Sequence, residues 1–240
     1  MVPERAATVV LVHGAWHGSW CWQRLTPRLQ AAGLLVRTLD LPSATSEVPA
    51  GLNEDARALN ALLGRIAGPV ILCGHSYGGM VVSAADTACA QVRQLVYLCA
   101  YVTEAGESLQ ASLRRCGERR PGHWIRRRAD GRTQVDAERA AELFFGDCAP
   151  DVRTWALGQL KPHWGGCLDE AAAAPAWTRH PSTYIACSED AVLAPRLQTE
   201  IYGARAGRLL TLPGGHCPFL SRPQPLAQLL CGIAGAPQLS

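Results

Sequence analysis

The chain has 240 residues, of which 48% are hydrophobic and 18% charged, and its net charge is +3. That length holds one large domain, and that composition excludes a disordered, collagen-like or coiled-coil chain. No apolar stretch approaches the roughly 18 residues of a membrane span, and the net charge is too small for a polybasic nucleic-acid binder.

The chain opens Met1-Val2-Pro3-Glu4-Arg5, which mixes charges before a short apolar run and makes a poor signal peptide. Without an export signal, the ten cysteines are expected to be reduced thiols in a cytoplasmic protein. Runs rich in Val, Ile and Leu follow at 8–13, 34–39, 70–73 and 94–101. Helical spacing fills 20–32, 53–66 and 79–89 between them; in the second, Leu52, Ala56, Leu59, Leu62, Leu63 and Ile66 share a face. Near-continuous apolar strands alternating with helices predict a parallel sheet covered on both faces.

The alternation stops between about 102 and 180. This block holds Trp124, Trp155, Trp164 and Trp177, the pair Phe144 and Phe145, and no convincing strand. It then resumes with a strand at 182–187, a helix at 194–202, a strand at 208–212 and a closing helix near 225–233. The expected architecture is therefore one α/β domain over 1–240, with a mostly helical insertion at 103–179.

Gly74-His75-Ser76-Tyr77-Gly78-Gly79 fits G-x-S-x-G, the pattern of a nucleophile elbow. A buried strand runs in and a small-residue helix runs out, so the turn can lift Ser76 clear of the sheet. The helix N-terminus then offers N–H groups to a developing oxyanion. Seven histidines compete to be the base for this serine. His75 adjoins it but is turned away; His123, His163 and His180 lie in or at the end of the insertion, and His13 and His17 in the first loop. His216, in the loop after the last strand, reaches the same sheet rim as Ser76 and is the candidate base. Asp190, just past the strand 182–187, is the candidate for orienting it, with Glu189 and Glu104 as rivals.

The first strand ends in His13-Gly14-Ala15-Trp16-His17-Gly18-Ser19-Trp20-Cys21-Trp22, a glycine-bearing loop that faces the elbow. The N–H groups of Ala15 and Tyr77 are expected to form an oxyanion hole. His13 and His17 have the spacing of a helical zinc pair, but Gly14 and Gly18 argue against a helix and no acidic ligand follows. Neither a metal nor an organic cofactor is expected.

These motifs, with Gly214-Gly215-His216-Cys217-Pro218-Phe219-Leu220-Ser221-Arg222-Pro223, resemble the α/β-hydrolase branch that holds plant methylesterases, hydroxynitrile lyases and many bacterial esterases. The resemblance spans essentially the whole chain, including Phe144-Phe145-Gly146-Asp147-Cys148. It implies a Ser76–Asp190–His216 triad, in the chain order expected of that fold, and a cap formed by 103–179. The lyases of this branch carry a threonine and a lysine where this chain has Gly14 and Cys217, so cyanide chemistry is disfavoured. The implied activity is hydrolysis of a small aryl or hydrophobic carboxylic ester. Two alternatives stand beside it: a thioesterase or cyclase acting on a carrier-bound chain, and a non-catalytic small-molecule receptor.

Gly14, His17, Trp124, Phe144, Phe145, Trp155 and Cys217 are the expected pocket residues, and Cys217 beside His216 predicts sensitivity to thiol reagents. Lys161 is the single lysine. Eight arginines (Arg114, Arg115, Arg119, Arg120, Arg126, Arg127, Arg128, Arg132) against Glu118 and Asp130 give the segment 114–132 a charge of +6 and leave the rest at −3. That cluster reads as a solvated face, as a docking patch for an acidic carrier protein, or as a binder of a substrate carboxylate or phosphate.

Overall fold

The computed structural model describes residues 6–85, 87, 91–117 and 124–236. Strand β1 (Thr8–Val12) leads through a 3-10 turn (Ser19–Arg24) and α1 (Thr26–Ala31) to β2 (Leu35–Leu39). Helices α2 (Pro42–Thr45) and α3 (Leu52–Leu63) precede β3 (Val70–His75), which α4 (Gly78–Ala84) and β4 (Val92–Leu98) follow. The insertion contains α5 (Leu109–Arg115), β5 (Ile125–Arg127), β6 (Arg132–Val135), α6 (Ala137–Leu143), α7 (Pro150–Leu157) and β7 (His163–Trp164). The chain then returns as β8 (Ser182–Cys187), α8 (Pro195–Leu197), a π-helical turn (Gln198–Tyr202), β9 (Arg208–Leu212), α9 (Pro218–Ser221) and α10 (Pro223–Ala234).

Six strands form one sheet in the order β2-β1-β3-β4-β8-β9, every pair parallel. β1, β3 and β8 are buried along their whole length, which is why their sequences read as unbroken apolar runs. The edge strands β2 and β9 expose alternate or most residues. The chain passes from β1 outward to β2, then back across to β3 and on in the other direction. The strand order therefore reverses between β1 and β3. The loops leaving those two strands flank the crevice where such sheets bind ligands.

Two expectations are corrected. The block 102–180 contains strands: β5, β6 and β7 form a separate antiparallel sheet with Ile125↔Val135, Arg127↔Thr133 and Thr133↔His163 in register. Its strands are short and half-exposed, and arginine occupies most of β5, so neither an apolar run nor an apolar alternation marks them. The helix expected over 194–202 is a single turn, α8, opening into the wider π turn. Cys89, Glu118, Arg119, Arg120 and His123 lie outside the described residues.

Candidate active site

β3 runs straight into the turn at Ser76, whose φ of +53° is one of three positive values at non-glycine residues among those described. Backbone strain of this kind concentrates where a side chain is held for use. The flanking glycines are required by close approach. A Cβ on Gly74 would lie 2.4 Å from the Gly78 carbonyl oxygen, and one on Gly78 would lie 2.5 Å from that of Val12. The turn is further fixed by the Ser76 N–H donating to the Leu98 carbonyl (3.3 Å) and by the Tyr101 N–H donating to that of Ser76 (3.2 Å).

The loop after β9 brings His216 to the same rim, and the loop after β8 brings Asp190. His216 Nδ1 lies 2.8 Å from Asp190 Oδ2, with both side chains almost fully buried. Asp190 is itself held from three sides. Its Oδ1 accepts from the Val192 and Leu193 N–H groups (2.8 and 2.9 Å), and its Oδ2 also accepts from Gln198 Nε2 (2.8 Å). Gln198 Oε1 in turn accepts from the Cys187 N–H (2.9 Å). The π turn thus aims one buried amide at both the end of β8 and the carboxylate.

His75, which also lines the cavity, bonds to the histidine loop. Its Nε2–H donates to the His216 carbonyl (2.8 Å), which ties the end of β3 to the histidine loop. Burial, followed by the neighbouring His216 and His17 rings, pushes the His75 pKa well down and keeps this ring neutral. From the insertion, Asp147 Oδ2 accepts from the Gly215 N–H (2.9 Å) and secures the same loop.

In the loop after β1, His13 Nδ1–H donates to the Gly14 carbonyl (2.8 Å) while Nε2 accepts from the Leu41 N–H (3.0 Å). His17 Nδ1–H donates to the Ala15 carbonyl (2.8 Å). Burial lowers the two pKa values to about 4 and about 3, so both rings stay neutral and brace the loop. Trp16 adopts a φ of +62° here and donates its indole N–H to Thr133 Oγ1 (3.1 Å). The N–H groups of Ala15 and Tyr77 take no hydrogen bond within the described residues. Among those residues His75, Cys99 and His216 bring ligand-type atoms within 4.8 Å of one another. One nitrogen of each histidine already lies 2.8 Å from an oxygen partner, so the group is committed to holding the loop.

A cavity of about 390 Å³ opens between these loops and the insertion. Ala15, His17, Ser76, Tyr77, Trp124, Phe144 and His216 line it as expected, together with Trp16, Tyr101, Leu109, Gln110, Leu113, Ile125, Arg127, Thr133, Leu168, Asp169 and Val192. Phe144 stacks on the His216 ring at 5.8 Å. Gly14, Phe145, Trp155 and Cys217 sit outside the wall. A Cβ on Gly14 would press on that of Ser76 at 2.9 Å. Phe145 packs behind His17 and Phe144, and Trp155 packs edge-on against Trp20 at 5.4 Å. Cys217 is fully buried, and burial holds its thiol well above the usual range. The expectation that it is sensitive to thiol reagents is therefore withdrawn, because the reactive species is an accessible thiolate. The nine described cysteines are all free.

A buried polar network lies beneath the cavity, and nothing in the sequence pattern marks it. The Asp55 carboxylate accepts from the Ser43 N–H (2.8 Å), the Ser43 hydroxyl (2.5 Å) and the Tyr77 hydroxyl (2.8 Å). With its proton given to Asp55, Ser43 Oγ accepts from His163 Nε2–H at 3.0 Å. Burial outweighs these hydrogen bonds and lifts the Asp55 pKa to about 6. Four of the six described arginines of the cluster have acidic partners. Arg115 pairs with Glu107 (2.7 Å), Arg126 with Asp136 (2.7 Å), and Arg128 and Arg132 both reach Asp130 at 3.3 Å. Among the described arginines of the cluster, Arg114 and Arg127 form no ion pair.

A solved pyrethroid hydrolase from Sphingobium faniae superposes with a TM-score of 0.82 at 25% identity, covering 97% of this chain and 99% of the other. An alpha/beta hydrolase of Aspergillus novofumigatus, nvfD, is 27% identical across 95% of this chain and 96% of its own length. A carbendazim-hydrolyzing esterase from a Nocardioides species is 42% identical over 45% of this chain and 47% of its own. Residues 9–229 match the model of the alpha/beta hydrolase family, and the chain belongs to that family.

Proposed function

We propose that the protein hydrolyses a small carboxylic ester bearing an aryl or other apolar group, through an acyl-enzyme on Ser76. One observation carries this reading. His216, whose Nδ1 lies 2.8 Å from Asp190, shares a cavity with a serine held at a φ of +53° on the elbow. In the reaction, Asp190 holds the Nδ1–H of His216, and Nε2 removes the proton of Ser76 Oγ as that oxygen attacks the ester carbonyl. The oxyanion takes the free N–H groups of Ala15 and Tyr77. His216 returns its proton to the leaving alcohol. A water, deprotonated in turn by His216, then releases the carboxylic acid and restores the serine.

The segment 103–179 acts as the cap, since it supplies Trp124, Ile125, Phe144 and Leu168 to the wall. Those side chains suit an aromatic or branched apolar group. The named activities of the carbendazim esterase and the pyrethroid hydrolase are consistent with ester hydrolysis. A carrier-docking surface is disfavoured, because four of the six described arginines in the cluster already have acidic partners.

The decisive experiment is Ser76→Ala assayed on 4-nitrophenyl acetate, alongside labelling by a fluorophosphonate probe. Complete loss of turnover and of labelling, at an unchanged melting temperature, is expected. Wild-type protein that fails to label and turns over no ester would identify a receptor, and turnover retained by the variant would exclude Ser76 as nucleophile.

A further inference from the structure

We propose that Arg127 makes this cavity a site for esters that also carry a carboxylate or a phosphate group. The inference rests on the hydrolase reading above and adds the class of substrate. It begins with the hairpin that the apolar pattern of the sequence does not show. Successive side chains of a strand point to opposite faces, and residues directly opposed across a ladder point to the same face. Ile125 and Arg127 on β5 therefore share a face with Val135 and Thr133 on β6. Ile125, Arg127 and Thr133 all line the cavity. Arg126 and Arg128 point the other way, where Arg126 meets Asp136 and Arg128 meets Asp130 and Gln134 (3.0 Å).

The alternation thus puts the paired arginines of the run on one face and leaves Arg127, exposed at the cavity wall, without an ionic partner. Its ladder partner fixes how near it sits to the chemistry. Thr133 Oγ1 accepts from the indole of Trp16, the residue that follows Ala15 in the first loop. Arg127 is consequently one rung from the group that braces the oxyanion loop. Asp169 also lies on this wall and has an interaction of its own. An unneutralised guanidinium on the cavity wall offers a bidentate, charge-assisted grip on an anion.

The test compares 4-nitrophenyl hydrogen glutarate, which carries a free carboxylate, with neutral 4-nitrophenyl pentanoate of similar length. Wild-type protein is expected to favour the anionic ester in kcat/KM. Arg127→Gln should lower that preference about tenfold, the scale of one charge-assisted hydrogen bond. Arg114→Gln, in the same cluster but outside the cavity wall, should keep the wild-type ratio. A preference absent from the wild type, or unaltered in R127Q, overturns the proposal. Binding to S76A, measured by calorimetry, separates this inference from the hydrolase reading because it needs no turnover. Benzyl phosphate or 3-phenylpropionate should bind about tenfold more tightly than 3-phenylpropionamide, and R127Q should abolish the difference. Which of the two anions binds better names the group recognised, and equal binding of all three ligands refutes the proposal.

Discussion

Asp55→Asn offers a direct measurement of what the buried network under the cavity costs and provides. Burial raises the Asp55 pKa from the usual 3.8 to about 6, against the three hydrogen bonds that favour its charged form. Between those two values the folded protein holds a proton that the unfolded chain has released, so stability falls as pH rises through this window and is level above it. A shift of this size corresponds to about 3 kcal/mol in all, of which about 2 kcal/mol is lost between pH 4.5 and 7.5. Other groups slope the opposite way: Asp40, Glu54 and Glu107 have lowered values, and their contribution falls away in acid. The informative quantity is therefore the difference between wild type and D55N in urea unfolding, followed across pH. Asparagine has no proton to take up, so the advantage of the wild type should shrink by about 2 kcal/mol from pH 4.5 to 7.5. A difference independent of pH would refute the assignment. The same variant should lower kcat more than it changes KM, because the Asp55–Tyr77 contact fixes the residue whose N–H the proposed mechanism assigns to the oxyanion.

Gln198→Ala removes the buried amide that joins Asp190 to the end of β8, and should reduce kcat by about tenfold to a hundredfold. It should also lower the melting temperature, since the Cys187 N–H and the Leu193 carbonyl lose a buried partner. Gly78→Ala sets a methyl 2.5 Å from a backbone oxygen of β1, a clash that should cost about 3 kcal/mol or more and appear as poor yield of folded protein. Iodoacetamide applied to the native protein should leave activity intact, because eight of the nine described cysteines are buried and Cys116 is only partly so. Rapid inactivation that Cys217→Ser prevents would overturn that reading.

The sheet was legible because its central strands are buried on both faces and need no polar residue in between. Predicted and observed strands at 182–187 and 208–212 coincide. The candidate site was legible where chemistry sits at strand ends: Ser76, Asp190 and His216 each follow a strand of the parallel sheet and so were confined to one rim in advance. The features that sequence did not reveal have their meaning only in three dimensions. Arg126 and Arg127 are adjacent and identical as letters, yet β5 sends one to Asp136 and the other to the cavity. Gln198 looks like a surface residue of a helix until the π turn buries it. Ser43 and Asp55 lie on different helices, and His163 lies more than a hundred residues further on.

The loop that carries His216 leaves the sheet after β9, the third strand away from β3, so a flexible loop alone would not fix its imidazole in the cavity that Ser76 lines. Three braces from separate parts of the chain remove that freedom: Asp190 from the end of β8, His75 from the end of β3, and Asp147 from the insertion. The brace from β3 is the most telling, since the residue beside the serine holds the backbone beside the base. Displacement of one thereby drags the other. Asp147 gives the insertion a second duty besides lining the cavity, for it fixes the very loop whose side chain the cavity exposes. A substitution in the insertion can therefore alter kcat without touching substrate, through Gly215, whereas one at Arg127 or Gln110 should act on which ester is taken. Kinetics that separate these two effects will show whether positioning and specificity are divided between the two ends of the same inserted segment.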